Sequence, residues 1–397
     1  MVTKRRFFIC ILLVLAMVLP VAAEPIKWVD FSVSYESMKY ALEQDIATFE
    51  QEQHLRWIDI LALAAANTGG KCGLASVKKA TESWKKGFDP TSLSDSMKKA
   101  YEYYHEAYTA ALGGLVGSFA IEKDGKMEAC YGLKAFSPVA AGYGYSHCDD
   151  FGVSRSFGFH RKHLGNDLMG GLGTPIVAVE GGVIEAMGWN RYGGWRIGIR
   201  SFDGKRYYYY AHLQKDHPFA EGLEEGDIVQ AGQLIGFMGR TGYSDKENVN
   251  NIETVHLHFG MELVFDESQK ECNSEIWIDV YNIVRLLSTH RASYKKIDGK
   301  WERVYPFIDL DLQDLQHRHV IANQCAHWCG NPHLCGTKGA TRLYEPQGER
   351  IPAVAYGSLG MTCECGYECC LLEGDFLISA EASLRAFCIM SEDTIVI

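Results

Sequence analysis

The sequence predicts an α+β protein, a helical N-terminal module followed by a mostly antiparallel β-sheet domain. Three features carry that reading. Up to about residue 120, apolar residues recur at three- and four-residue steps. From about Ile121 to Asp311, glycines become frequent and short apolar runs alternate with turn signals, with no long helix between them. Past Asp311 the chain turns cysteine- and glycine-rich, with little periodicity to specify a core.

The chain opens with Lys4-Arg5-Arg6, an apolar run from Phe7 to Leu19, and small residues at Val21-Ala22-Ala23. A basic start, a short apolar stretch and a small-residue end are the form of a secretory signal peptide. Cleavage is expected after Ala23, with an uncleaved anchor as the alternative, and the protein is expected outside the cytoplasm. The run is short for a membrane-spanning helix.

Residues 24–120 read as the helical module. A first helical pattern covers Trp28 to about Asn67, with Met38, Leu42, Ile46, Phe49, Leu55, Ile58 and Leu61 on its apolar stripe, and Thr68-Gly69-Gly70 stops it. A second helix is expected from about Ser76 to Lys86. A third follows Asp89-Pro90 and carries Met97, Tyr101, Tyr104, Tyr108 and Leu112, a spacing that places the tyrosines in a core. This module is a candidate surface for a protein partner.

Residues 121–311 read as the β-domain. Strands are expected at Pro175–Val179, Gly182–Ala186, Trp195–Arg200, Arg206–Ala211, Gln233–Phe237 and Thr254–Phe259, and a final helix at Ile276–Leu287. The absence of helices between strands argues against parallel βαβ units. Residues 312–397 read as a poorly specified extension. Eight of the twelve cysteines that follow the leader lie between Cys325 and Cys388, without the paired spacings of a zinc ribbon. A Cys130–Cys148 disulfide would tie down the segment before residue 160, although spacing cannot establish it.

Without its leader the chain holds 36 basic against 50 acidic residues, a formal charge of about −14. So acidic a chain has no general attraction for DNA, anionic lipid or wall polyanions. Nucleic-acid partners are therefore not expected, and binding to an anionic envelope needs a local site.

The chemistry concentrates in a few histidines. His163 and Asp167 lie four positions apart, and His256 and His258 lie two apart in an expected strand, so the latter pair must project to one face. If the strands pair, one of that couple joins His163 and Asp167 on a metal and the other stays free beside it. Two histidines and one carboxylate leave a fourth tetrahedral position open, the pattern of a catalytic rather than structural zinc. No His-Glu-x-x-His helix supplies a glutamate base, so imidazoles must move the proton. His212 closes a tyrosine-rich strand as Tyr210-Ala-His-Leu213. His160 and His217 read as exposed, and His317-Arg-His319 as a chance pair in a polar stretch.

Residues of about 160–263 resemble the lysostaphin/LytM-type zinc endopeptidases of bacterial cell walls. The matching pieces are His163-x-Gly165-x-Asp167, Gly173-Thr-Pro-Ile-Val-Ala178 with Gly182-Val-Ile184, Tyr210-Ala-His-Leu213, the turn region Gly226–Gly242, and His256-Leu-His-Phe259. The resemblance implies a β-sheet groove with one zinc ion on its floor, hydrolysing peptide bonds in peptidoglycan at the bacterial cell envelope. Carried over residue by residue, His163, Asp167 and His258 are the implied zinc ligands, and His212 and His256 the implied catalytic histidines. Tyr243–Val255 departs from the family, being longer and polar, and bears on substrate choice more than on catalysis. A non-catalytic cell-wall-binding or protein-interaction module on the same fold is the alternative. A zinc enzyme acting on a small molecule fits the ligands but not the groove-forming strands.

Overall fold

The structure, a computed structural model, describes residues 31–123, 125–271, 274–311, 389–391 and 394–396. The expected leader, the cysteine cluster from Cys325 to Cys388 and the His317-x-His319 pair lie outside the described residues.

Four helices come first: α1 (Tyr35–Thr48), α2 (Trp57–Ala66), α3 (Leu74–Lys85) and α4 (Asp95–Leu112). The single helical pattern expected from Trp28 to Asn67 is in fact two helices. The break is made by capping groups that only tertiary contact reveals. The Asp45 carboxylate accepts from the Trp57 backbone N–H at 2.8 Å and starts α2, while the Thr48 hydroxyl accepts from Leu55 N–H at 2.9 Å. On α4, Tyr101, Tyr108 and Leu112 are buried, so the tyrosine stripe is core.

Strands follow in chain order: β1 (Val116–Lys123), β2 (Lys126–Leu133), β3 (Tyr145–His147), β4 (Ser154–Arg155), β5 (Arg161–Lys162), β6 (Asn166–Gly170), β7 (Pro175–Val177) and β8 (Gly182–Asn190). Next come β9 (Gly194–Ser201), β10 (Arg206–Ala211), β11 (Ile228–Val229), β12 (Leu234–Phe237), β13 (His256–Leu263) and β14 (Ile276–Ile278). Helix α5 (Tyr281–Leu287) precedes β15 (Tyr294–Ile297), β16 (Lys300–Arg303) and β17 (Phe307–Asp309). The expected helix at Ile276–Leu287 therefore opens as a strand. The alternating Ile276, Trp277 and Ile278 pair with Leu263, Glu262 and Met261, and the helix begins only at Tyr281.

The main sheet has the order β11-β8-β9-β10-β13-β6-β3, with β14 also pairing β13. All its pairs are antiparallel. Period-2 alternation gives it two faces. On β10, Arg206, Tyr208 and Tyr210 are buried on one side; on β13, Leu257, Phe259, Met261 and Leu263 join them. The intervening Tyr207, Tyr209, Ala211, His256, His258 and Glu262 line a groove on the other side. The buried face shares one continuous apolar core with the helices, in which Ala41, Leu61, Tyr108 and Leu112 pack with Tyr208, Tyr210, Phe259 and Met261.

Arg206 joins the two parts chemically. Its fully buried guanidinium pairs with Glu180 at 2.8 and 3.1 Å and with Asp203 at 2.8 Å, and donates to the Ala110 carbonyl of α4 at 2.6 Å. A buried cation is tolerated only with such compensation. Cys130 and Cys148 are free thiols, so the considered disulfide is not formed. Among the described residues no helix is long and apolar enough to cross a membrane.

Candidate functional site

The groove encloses about 640 Å³ and runs over the polar face of β8, β9, β10, β13 and β6. Its chemistry is set by register. Strand β13 pairs with β6 so that His258 faces Asp167 and His256 faces Met169. His163, at the end of β5, closes over the same spot. His163 Nε2 lies 2.7 Å from His258 Nδ1 and 3.1 Å from Asp167 Oδ1, and His258 Nδ1 lies 3.3 Å from that oxygen. Metal bonds of about 2.0–2.1 Å in a tetrahedron separate donors by roughly 3.3 Å. The three donors are therefore spaced as one small divalent cation requires, and they form the His/Asp/His group with metal-binding geometry among the described residues.

The protonation states agree with that fit. Burial opposes charge on Asp167, but the adjacent His163 and His258 imidazoles outweigh it and hold the carboxyl well below the usual carboxylate range. Burial pushes the His258 imidazole down against the pull of Asp167, favouring the neutral form that ligates metals. Gly165 is required by close approach: a Cβ there would sit 2.6 Å from the Phe259 carbonyl and 2.9 Å from the His258 ring.

Around the donors lies a polar shell. His163 Nδ1–H faces the Asp150 carbonyl at 3.0 Å and its carboxylate at 3.1 Å, which turns Nε2 toward the cation position. Asp150 also accepts from the Asp167 backbone N–H at 3.2 Å. Arg155 Nη2 bridges Asp150 Oδ2 at 2.6 Å and Asp167 Oδ2 at 3.0 Å, leaving Oδ1 of Asp167 for the cation. Neither Asp150 nor Arg155 stands out in the sequence. They precede the histidine motif, fit no spacing rule, and reach it only because β4 pairs with β5 and Cys148 N–H bonds the Asp167 carbonyl.

His212 and His256 stand beside this centre, their rings 4.8 Å apart. Each directs Nδ1 at a backbone carbonyl, His212 at Thr241 and His256 at Thr254, both at 2.9 Å. A carbonyl only accepts, so Nδ1 carries the proton and Nε2 is the free nitrogen. His256 Nε2 lies 3.6 Å from Asp167 Oδ1. His212 has φ of 61°, a left-handed conformation that costs a non-glycine residue on the order of 1–3 kcal/mol. It is held there by its own N–H bonding the Gly193 carbonyl at 2.7 Å. Burial, then the neighbouring His256 and His258, drives the His212 imidazole well below the ordinary histidine range.

The model of peptidase family M23 matches residues 161–271. The chain carries an M23 peptidase domain. The L-Ala–D-Glu endopeptidase of Bacillus subtilis (strain 168) is 43% identical over 117 residues, which cover 30% of this chain and 34% of that protein. Lysostaphin of Staphylococcus staphylolyticus is 40% identical over 98 residues, covering 24% and 18%. The chain thus spans about a third or less of the length of these relatives. A putative glycyl-glycine endopeptidase LytM from Ruminococcus gnavus ATCC 29149 superposes with a TM-score of 0.41 at 24% identity, over 68% of this chain and 94% of that one.

All five histidine and aspartate positions expected from the sequence converge on the floor of the M23 groove, while His160 and His217 are exposed. The polar segment Tyr243–Val255 contributes Tyr243, which stacks on Phe157 at 4.6 Å and forms one wall with Tyr192. Asp245 pairs with Arg191 at 3.3 Å on the exposed surface.

Proposed function

We propose that the M23 domain is a zinc-dependent endopeptidase that hydrolyses peptide bonds of bacterial peptidoglycan, and that the protein acts at the cell envelope, secreted or membrane-anchored. His163, Asp167 and His258 hold the single zinc; His212 and His256 are the catalytic histidines. The observation that carries the reading is the convergence of three metal-competent donors and two further imidazoles, with free Nε2 atoms, on one groove floor. A relative from Vibrio cholerae named as a peptidoglycan DD-endopeptidase, 31% identical over 99 residues, supports the substrate class, beside relatives named as L-Ala–D-Glu and glycyl-glycine endopeptidases.

Zinc bound there supplies Lewis acidity and brings the pKa of water toward neutrality. The chain's own residues do the rest. His163 presents Nε2, His258 a neutral Nδ1 and Asp167 a carboxylate. His212 and His256 present Nε2 to the same space; one accepts the proton of the attacking water there, and the other, once it carries a proton on Nε2 as well, donates to the developing oxyanion. The aromatic wall of Tyr192 and Tyr243, the latter stacked on Phe157, and the strand-lined floor receive an extended peptide. The test is direct: purified protein should contain one zinc and clear suspended cell walls, and a chelator should block clearing until zinc is returned. Metal-bound protein that leaves walls and their isolated peptides intact refutes catalysis and favours a binding module.

A further inference from the structure

The groove floor carries a second charged feature that the hydrolytic site does not use. Four arginines line the groove. Arg155 is committed to Asp150 and Asp167, and Arg200 forms a two-pronged pair with Glu185 at 2.8 and 3.0 Å. Arg161 donates to the Phe157 carbonyl at 2.7 Å and lies over the Tyr192 ring at 4.7 Å. Arg196 differs. Among the described residues it has no ion pair, and its Nη1, sealed from solvent, has no hydrogen-bond partner; Arg200 Nη1 is likewise unpartnered, but the charge of Arg200 is met by Glu185. Leaving a guanidinium nitrogen buried and unpaired is costly, so such a group calls for an anion that the chain does not supply.

Strand register says where that anion would lie. Tyr210 pairs with Ile197, which puts Ala211 beside Arg196 on the opposite, groove-lining face. Ala211 in turn faces His258, and His258 faces Asp167. Arg196, Ala211, His258 and Asp167 therefore form one row across the floor, with Gly188 opposite Arg196 on its far side. Two strand spacings put the Arg196 backbone roughly 10 Å from that of His258. The neighbours in the row are a methyl group and a glycine, and Tyr209 from the next row leans over them, its hydroxyl accepting from Asn190 Nδ2 at 2.9 Å and its ring 5.8 Å from that of His258, so a ligand at the guanidinium would lie against that ring.

We propose that Arg196 is a carboxylate-binding subsite that selects peptides bearing a free carboxylate close to the bond being cut. A planar guanidinium takes a carboxylate in two parallel hydrogen bonds, which sets the peptide's register as well as its affinity. An acidic chain of formal charge −11 otherwise repels such a substrate, so the contact must be local. The inference rests on the endopeptidase reading and names its substrate class.

The test uses the full chain with two synthetic peptidoglycan stem peptides, identical except that one glutamate α-carboxylate is free in the first and a carboxamide in the second. The wild type should cut the carboxylate peptide with kcat/KM higher by roughly 10–100-fold, the range for a hydrogen bond to a charged group. In Arg196→Gln the ratio should fall to about one, and Arg196→Lys should restore part of it. Binding of each peptide, measured by calorimetry, should show the same loss of discrimination, with zinc content unchanged. Equal rates for the two peptides in the wild type, or a ratio that survives Arg196→Gln, overturns the subsite while leaving the endopeptidase standing. Failure to bind or cut either peptide overturns both.

Discussion

Asp150 offers the sharpest test of how the proposed metal centre would be held. Asp150→Ala removes three contacts at once: the carboxylate facing His163 Nδ1 at 3.1 Å, the acceptor for the Asp167 N–H at 3.2 Å, and the 2.6 Å anchor of Arg155. It also removes a negative charge near the cation, so orientation and attraction change in the same direction. Groups of this kind are worth about 10–100-fold in metal affinity. Because the Asp150 backbone carbonyl still accepts from His163 Nδ1 at 3.0 Å, the imidazole keeps its tautomer and the loss should fall at the lower end. A zinc dissociation constant raised about 10-fold is expected, equivalent to ~1.4 kcal/mol. Arg155→Met behaves differently: it frees Asp167 Oδ2 from its 3.0 Å clamp but also removes a repelling cation, so its shift should be smaller. Competition with a chromogenic chelator at fixed pH measures both. An unchanged constant in Asp150→Ala, or a larger loss in Arg155→Met, would refute the reasoning.

Three further outcomes are expected. His212→Ala and His256→Ala should each lower kcat by on the order of 10²–10⁴ while retaining zinc, whereas His258→Ala should lose the metal; metal analysis beside single-turnover assays separates the two classes. Arg206→Met strands Glu180 in the core and should cost about 3–5 kcal/mol. That is a drop in Tm of roughly 6–20 °C. Because Arg206 also bonds α4, helices and sheet should still melt in one calorimetric transition, and two separated transitions would contradict a shared core. Glu262 is the pH probe: burial first, and then Glu275, push its carboxyl up from 4.5 to about 7. A raised folded pKa means stability present below pH ~4.5 and lost as pH rises through ~7, by about 3 kcal/mol at most. Denaturant midpoints across that window should fall in the wild type and lose this component in Glu262→Gln.

Much of the candidate site is legible because strand geometry is local. The spacing of His256 and His258 guarantees a shared face, and His163-x-Gly-x-Asp167 places an imidazole and a carboxylate within reach of one another. The tyrosine run at 207–210 reads as a strand from composition, and its alternation between core and groove follows from the pleat. Less legible are features created by pairing. Two helices replace one because Asp45 caps Trp57 across the intervening turn. Ile276–Ile278 is a strand because β13 offers it an edge, and nothing in a short apolar run distinguishes that from a helix start.

The sequence alone determined the inventory: which donors exist, which share a face, and that the chain is helical first and antiparallel β afterwards. Only the tertiary structure decided that the face bearing His256 and His258 turns to the groove with His258 opposite Asp167: a pairing shifted by one residue would send both histidines to the core side, and one shifted by two would set His256 there instead. It also decided that Asp150 and Arg155 contact the His163 and Asp167 side chains, and that Arg196 has no ion pair among the described residues. Residue types and intervals record local geometry, whereas these contacts depend on how distant strands are paired, which no interval along the chain encodes.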